Sequence, residues 1–161
     1  MPSQMTALEL IKQVDILGNS AESAEQLMVQ IARLLHDSLS RYNWVGFYML
    51  DETVQPPVLV LGPYQGAPTP HTRIALDQGI CGAAASTGRT IVVDDVATDP
   101  RYLACSLETK SEIVAPVYWN QRVIGELDVD SHAAAAFSDD DRQLVERCAA
   151  VVGQFMEENG R

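Results

Sequence analysis

The sequence predicts an α+β domain: a central antiparallel sheet of about six strands, with helices from both chain ends on one face and loops or short helices on the other. Three observations predict it. Apolar residues recur at helical spacing near both ends, at Leu8, Ile11, Val14 and Leu17 and again at Leu144, Cys148, Val151, Val152 and Phe155. Between them lie short apolar runs bounded by Gly, Pro and Asp, which read as strands. Two of these runs, Ile113 to Trp119 and Val123 to Val129, flank Asn120-Gln121 and read as a hairpin, which makes the sheet antiparallel. A chain of 161 residues is expected to be one domain, 1–161. At that size about 70% of the unfolded surface can be buried, so no disulfide or metal staple is needed.

Taken in order, the first helix carries Leu8 to Leu17 and meets a plausible stop at Gly18. Asn19 to Glu22 and Ser23 to Gln26 both read as starts for the next helix, whose apolar face is Leu27, Ile31, Leu34, Leu35 and Leu39. Trp44 to Leu50 is a strand, and Val58 to Leu61 a second one after the Pro56-Pro57 turn. Gly62-Pro63 and the stretch from Gly66 to Pro70 mark a loop. A brief strand at Arg73 to Leu76 precedes a short helix entered through Gly79. Thr90 to Val93 is a strand, and Arg101 to Ser111 has no clear period. Ser138-Asp-Asp-Asp141 is a capping box that opens the last helix.

A net charge of −11 argues against nucleic acid or an anionic membrane as partner, because phosphates would be repelled. It is compatible with a small cationic substrate, although on charge alone mild acidity is usually a solubility device. The first residues carry no basic and apolar leader, and no apolar run approaches the roughly 18 residues of a membrane span. A cytoplasmic location with reduced cysteines is the expectation. The three cysteines fit no zinc spacing, and His36, His71 and His132 are scattered, so neither a metal site nor a cofactor is expected.

The chemistry concentrates in a few places. Cys81 falls near the start of the short helix, where the helix dipole is expected to favour its thiolate. Cys105, 24 positions later, falls in the irregular stretch, where reactive residues are common. Cys148 sits on an apolar helix face and reads as core. Asp128 and Asp130 share one face of their strand, about 7 Å apart, while Leu127 and Val129 take the other. Glu112 opens the neighbouring strand and can reach the same side. Such acids are either a solvated sheet face or the lining of a cleft that binds a cation and can donate a proton. Trp44 and Tyr48 share a strand face with Gly46 between them, leaving a notch for a methyl-thio group or a cation, unless both rings are simply core.

The ordered set Asn43-Trp-Val-Gly-Phe-Tyr48, Leu61-Gly-Pro-Tyr-Gln-Gly66, Gly79-Ile-Cys-Gly82, Ala104-Cys105, Ser111-Glu-Ile-Val114 and Leu127-Asp-Val-Asp-Ser131 resembles the free methionine-(R)-sulfoxide reductases. These are single-domain GAF proteins. The resemblance runs in register from about Asn43 to Ser131 and implies a GAF-like fold. It implies Cys105 as nucleophile and Cys81 as partner thiol. Glu112, Asp128 and Asp130 would hold the ammonium of free methionine sulfoxide, with Trp44 and Tyr48 walling its methyl group. It further implies a sulfenic acid, then a disulfide reopened by a thioredoxin-like reductant, and by analogy a homodimer. The chain departs from the family where His71 replaces a frequent third cysteine, and in the run Tyr102-Leu-Ala-Cys-Ser106. Lys110 and Asp99-Pro-Arg-Tyr102 also differ, the latter resembling generic GAF sensor domains. The competing readings are a small-molecule-binding GAF module without catalysis and a dimerisation module.

Overall fold

The computed structural model describes residues 4–103 and 106–160. Helices α1 (Ala7–Ser20) and α2 (Ala24–Ser38) lead into strands β1 (Trp44–Asp51), β2 (Val58–Gln65) and β3 (Arg73–Ala75). Helix α3 (Gly79–Thr87), strand β4 (Ile91–Val93) and a 3-10 turn (Val96–Thr98) follow. The hairpin β5 (Ser111–Trp119) and β6 (Arg122–Ser131) then precedes α4 (Asp139–Asn159). The strands form one sheet in the order β3-β2-β1-β6-β5-β4, with every neighbouring pair antiparallel. No helix among the described residues is long and apolar enough to cross a membrane.

Strand alternation divides the core in two. Val45, Phe47, Ile113, Leu127 and Val129 point to one face, where α2 and α4 cover the sheet and α1 packs on both helices. These side chains are fully buried, each contributing about 1.5–3 kcal/mol on removal from water. The opposite face carries Trp44, Tyr48, Leu59 and Val114, packed against Ile80, Cys81 and Ala84 of α3. The smaller core therefore lies under the short helix and the connecting segments, as the alternation predicts.

Element ends follow local chemistry, with two departures from expectation. Thr6 and Glu9 form a capping box at the start of α1. The helix runs through Gly18 to Ser20 rather than stopping there. Gly18 instead lets α1 approach α4, since a Cβ at that position would lie 2.6 Å from Val151 Cγ1. Of the two candidate starts for α2, Ser23 is the one used, its hydroxyl accepting from the Gln26 N–H. Gly62 and Pro63, expected in a loop, lie inside β2, which stays paired to β1 as far as Gln65. The β1–β2 register shifts between Gly46 and Tyr48, opposite Gly62 and Pro63, so the proline sits at an irregularity in the ladder where its missing N–H is tolerated.

The β5–β6 hairpin turns at Asn120 and Gln121 with φ of 48° and 67°, the signature of a type I′ turn. Ser138 and Asp141 make the expected capping box on α4. Asp141 does more than cap. It accepts hydrogen bonds from the Tyr42 hydroxyl at 2.6 Å and from Arg41 at 2.5 Å, tying the segment before β1 to the start of α4. Burial pushes its carboxyl up, but the bonds from Tyr42, Ser138 and Arg41 outweigh that and hold it below the usual range. Cys148 is fully buried in α4, as its apolar neighbours suggested.

Candidate active site

Register assembles the site. Across β1, β6 and β5, Trp44 stands beside Asp130, which stands beside Glu112. One step along, Gly46 faces Asp128, and Asp128 faces Val114. A further step pairs Tyr48 with Glu126, and Glu126 with Pro116. Aromatic side chains therefore line β1 and carboxylates line β6 on one continuous face. Glu112 closes the acid row from β5.

The acids are not a solvated sheet face. Glu112, Asp128 and Asp130 are 4%, 2% and 3% exposed, which settles that question in favour of a covered cleft. Glu126, also fully buried on this face, was missed by the sequence reading. Its signal was available: it extends the Asp128, Asp130 alternation by one step. No lysine or arginine among the described residues is ion-paired to any of these four carboxyls. Among the described residues, both Glu126 oxygens, Asp128 Oδ1 and Asp130 Oδ1 have no partner of hydrogen-bond geometry. Burial pushes all four carboxyls well above the ordinary carboxylate range, and repulsion between neighbours adds to it. A buried row of acids without a cation holds protons, and gives them up when a positive group arrives.

Cys81 lies in the first turn of α3, 5% exposed, with its thiol 3.4 Å from Asp128 Oδ2. The expectation that the helix dipole favours its thiolate is overturned. Burial comes first and the charges of Asp128, Glu126 and Glu112 next, and together they push the thiol well up. Three nearby acids outweigh the partial charge of a nine-residue helix. Cys105 and Ala104 lie outside the described residues.

The aromatic notch is built differently from a simple gap. The Trp44 ring folds over Gly46, where a Cβ would come within 2.4 Å of its Cη2 atom. Trp44 stacks on Tyr64 of β2, with centroids 5.6 Å apart, and approaches Tyr48 at 6.2 Å. Tyr64 thus joins the two rings named from the sequence. Its partnership depends on the β1–β2 register, in which it stands opposite Gly46. Trp44 Nε1 donates to the Ala67 carbonyl, and the Tyr48 hydroxyl donates to the His71 carbonyl at 2.7 Å. Those bonds pin the segment after β2 across the aromatic wall. His71 contributes its backbone here.

Two small cavities open on this face. One of about 130 Å³ is bordered by Trp44, Ala67, Ser106, Thr109 and Asp130. The other, about 10 Å³, touches Tyr48, Cys81, Leu103, Glu112 and Asp128. The first has room for a few waters or a small polar group, the second for about one water. A larger groove of about 890 Å³ runs between Arg89, Tyr118 and α4, but it contains none of Glu112, Glu126, Asp128 and Asp130.

A sheet covered by terminal helices on one face and closed over a small-molecule cleft on the other is the architecture of a GAF domain, and the GAF domain family model matches residues 23–156. The free methionine-R-sulfoxide reductase of Escherichia coli is 34% identical over 76% of this chain and 72% of its own. GAF domain-containing protein A of Dictyostelium discoideum is 37% identical over 80% of this chain and 89% of its own. Among solved structures, the free methionine-R-sulfoxide reductase of Neisseria meningitidis in complex with its substrate superposes with a TM-score of 0.89 at 33% identity, covering 96% of this chain and 90% of that one. The chain belongs to the GAF-domain family, among the free methionine-R-sulfoxide reductases.

Proposed function

We propose that this protein reduces free methionine (R)-sulfoxide to methionine. The observation that carries the reading is the buried row of Glu112, Asp128 and Asp130 beside an aromatic wall, with no lysine or arginine among the described residues ion-paired to it. A free amino acid brings an ammonium to the acids and an apolar methyl-sulfur end to Trp44 and Tyr48. The relatives named for this activity support the same reading. A peptide-bound methionine sulfoxide lacks the ammonium. A site built to pair a buried polar group rejects ligands that lack it by large factors.

In this scheme the Cys105 thiolate attacks the sulfoxide sulfur while a protonated carboxyl of the row delivers a proton to the oxygen. Sulfur is reduced to the thioether, methionine leaves, and the oxygen remains on Cys105 as a sulfenic acid. The Cys81 thiol condenses with it, releasing water and forming a disulfide. A thioredoxin-like dithiol then returns both cysteines to thiols and is itself oxidised. Leu103 and Ser106, the described residues that flank the nucleophile segment, each border one of the two cavities, which supports Cys105 in this role. The raised pKa of the Cys81 thiol suits a group that stays protonated until the acids beside it are neutralised. A cytoplasmic location, where dithiol reductants are available, and a homodimer complete the reading.

The test is epimer-resolved turnover with a thioredoxin system. The free R epimer is expected to be consumed, with little action on the S epimer or on a peptide substrate. Cys105→Ser should abolish even a single turnover, whereas Cys81→Ser should release one equivalent of methionine and then stall. Equal turnover of peptide substrate would sink the reading. A non-catalytic binding module would bind methionine without consuming the sulfoxide.

A further inference from the structure

The floor of the acid row places a thiol among carboxylates in a way the ammonium reading does not use. Cys81 Sγ, a Glu112 oxygen and an Asp128 oxygen all lie within 4.8 Å of one another. A point equidistant from the corners of a triangle with 4.8 Å sides is about 2.8 Å from each, against metal bonds of about 2.0–2.3 Å. The Cys81–Asp128 edge is already shorter, at 3.4 Å. Zinc bonds of about 2.3 Å to sulfur and 2.0 Å to oxygen, opened to the tetrahedral angle, put those two atoms about 3.5 Å apart. That edge therefore needs no movement. An S–H···O bond spans it, and a metal would take the place of the proton.

A second observation is independent of this triangle. Glu126 is fully buried, and among the described residues neither of its oxygens has a partner of hydrogen-bond geometry, the Cys81 thiol being its polar neighbour. Asp128 Oδ1 is likewise unpaired. Buried carboxylates are normally paired or coordinate a metal. The 10 Å³ cavity touching Cys81, Glu112 and Asp128 is too small for an amino acid but holds about one water, the space an ion and its open position occupy.

We propose that this floor is a binding site for a thiophilic divalent cation of the zinc class, ligated by Cys81 Sγ, Glu112 and Asp128. Glu126 supplies the adjacent compensating charge. A thiolate donor selects zinc, cadmium or cobalt over magnesium and calcium. Binding releases the Cys81 proton together with protons held by the acids, so affinity rises with pH. The metal uses the carboxylates assigned above to the substrate ammonium. It therefore competes with substrate and ties up Cys81, a consequence that rests on the proposed activity, whereas the site itself does not.

The experiment titrates the reduced, chelator-stripped full chain with Co²⁺ under argon and reads the thiolate-to-cobalt charge-transfer band and the visible bands. One equivalent of Co²⁺ is expected to bind, and Zn²⁺ to displace it. Cys81→Ser should abolish the charge-transfer band, and Asp128→Asn or Glu112→Gln should weaken binding tenfold or more. Cys148→Ser should leave the band intact, and Cys81→Ala with a melting curve controls for folding. No band in the unaltered protein, or a band that survives Cys81→Ser, overturns the site. The absorbance needs no turnover. An inactive protein that shows the band keeps the metal site and sinks the reductase reading; an active protein without it does the reverse.

Discussion

At the scale of single residues, the decisive one is Glu126. It stands opposite Tyr48 in β1 and Pro116 in β5, fully buried, with no partner of hydrogen-bond geometry for either oxygen among the described residues. Its carboxyl is pushed up by burial first, the Cys81 thiol opposes that next, and Glu112 adds a smaller push. Replacing an unpaired buried acid by an apolar chain of similar length removes a desolvation cost and leaves no cavity. Glu126→Met is therefore expected to raise the melting temperature at pH 7.5 by about 2–4 °C, the shift that about 1 kcal/mol makes in a domain of this size. A calorimetric scan showing a lower melting point would mean that Glu126 holds a stabilising contact. The aromatic residues teach the converse lesson. Trp44 and Tyr48 are core by burial, yet their polar atoms are spent on the Ala67 and His71 carbonyls, which positions the wall of the cleft. Core and site are the same residues here.

At the scale of elements, the packing of α4 on β5 sets how closely the helix layer approaches the sheet. Gly153 sits where the helix crosses the end of β5, and a Cβ there would lie 2.2 Å from the Tyr118 carbonyl oxygen. That oxygen belongs to backbone and cannot swing aside. Overpacking costs about 1–3 kcal/mol, so Gly153→Ala is expected to destabilise by the upper end, about 3 kcal/mol, by urea denaturation. A loss under about 0.5 kcal/mol would show that α4 shifts freely on the sheet. The same layer explains why α1 overruns Gly18: the contact with Val151 needs a small residue within a continuous helix, and the sequence shows only the glycine. The Asn120-Gln121 turn was legible because a two-residue connection between alternating strands calls for φ > 0 at both positions.

At the scale of the whole molecule, the opposing titrations set a pH window. The carboxyls of Glu112, Glu126, Asp128 and Asp130 are raised in the folded state. The stability linked to each is fully present below its unfolded pKa of about 4, and is lost as pH rises through the folded value. Asp141 is lowered, so its contribution is present above about pH 4 and is lost as pH falls. The reduced, ligand-free protein should therefore melt highest in mildly acidic buffer, with the melting temperature declining from about pH 5 to pH 8. Free methionine, which brings an ammonium to the acids, should stabilise more at pH 8 than at pH 5, since it binds the ionised row. A melting temperature that rises steadily over this range, by scanning fluorimetry, would mean that the acids are neutralised within the protein itself.

The sequence by itself determined the element order, the antiparallel hairpin, the α4 cap and the sidedness of each strand, because these depend on spacings of two and 3.6 residues and on turn chemistry. It also pointed to Glu112, Asp128 and Asp130 as one group, since strand alternation and hairpin pairing are local. It could not say whether that group faces water or a cleft, because burial is decided by α3 and the segments after β2, which are far away in sequence. Nor could it find Tyr64, which meets Trp44 only through the β1–β2 register. For Cys81 the local cue, a place in the first turn of a helix, pointed to an easy thiolate. Tertiary structure reversed it by bringing the acids of β5 and β6 against the thiol in a site from which water is excluded. Charges brought together across strands and shielded from solvent interact more strongly than any signal carried by neighbours along the chain.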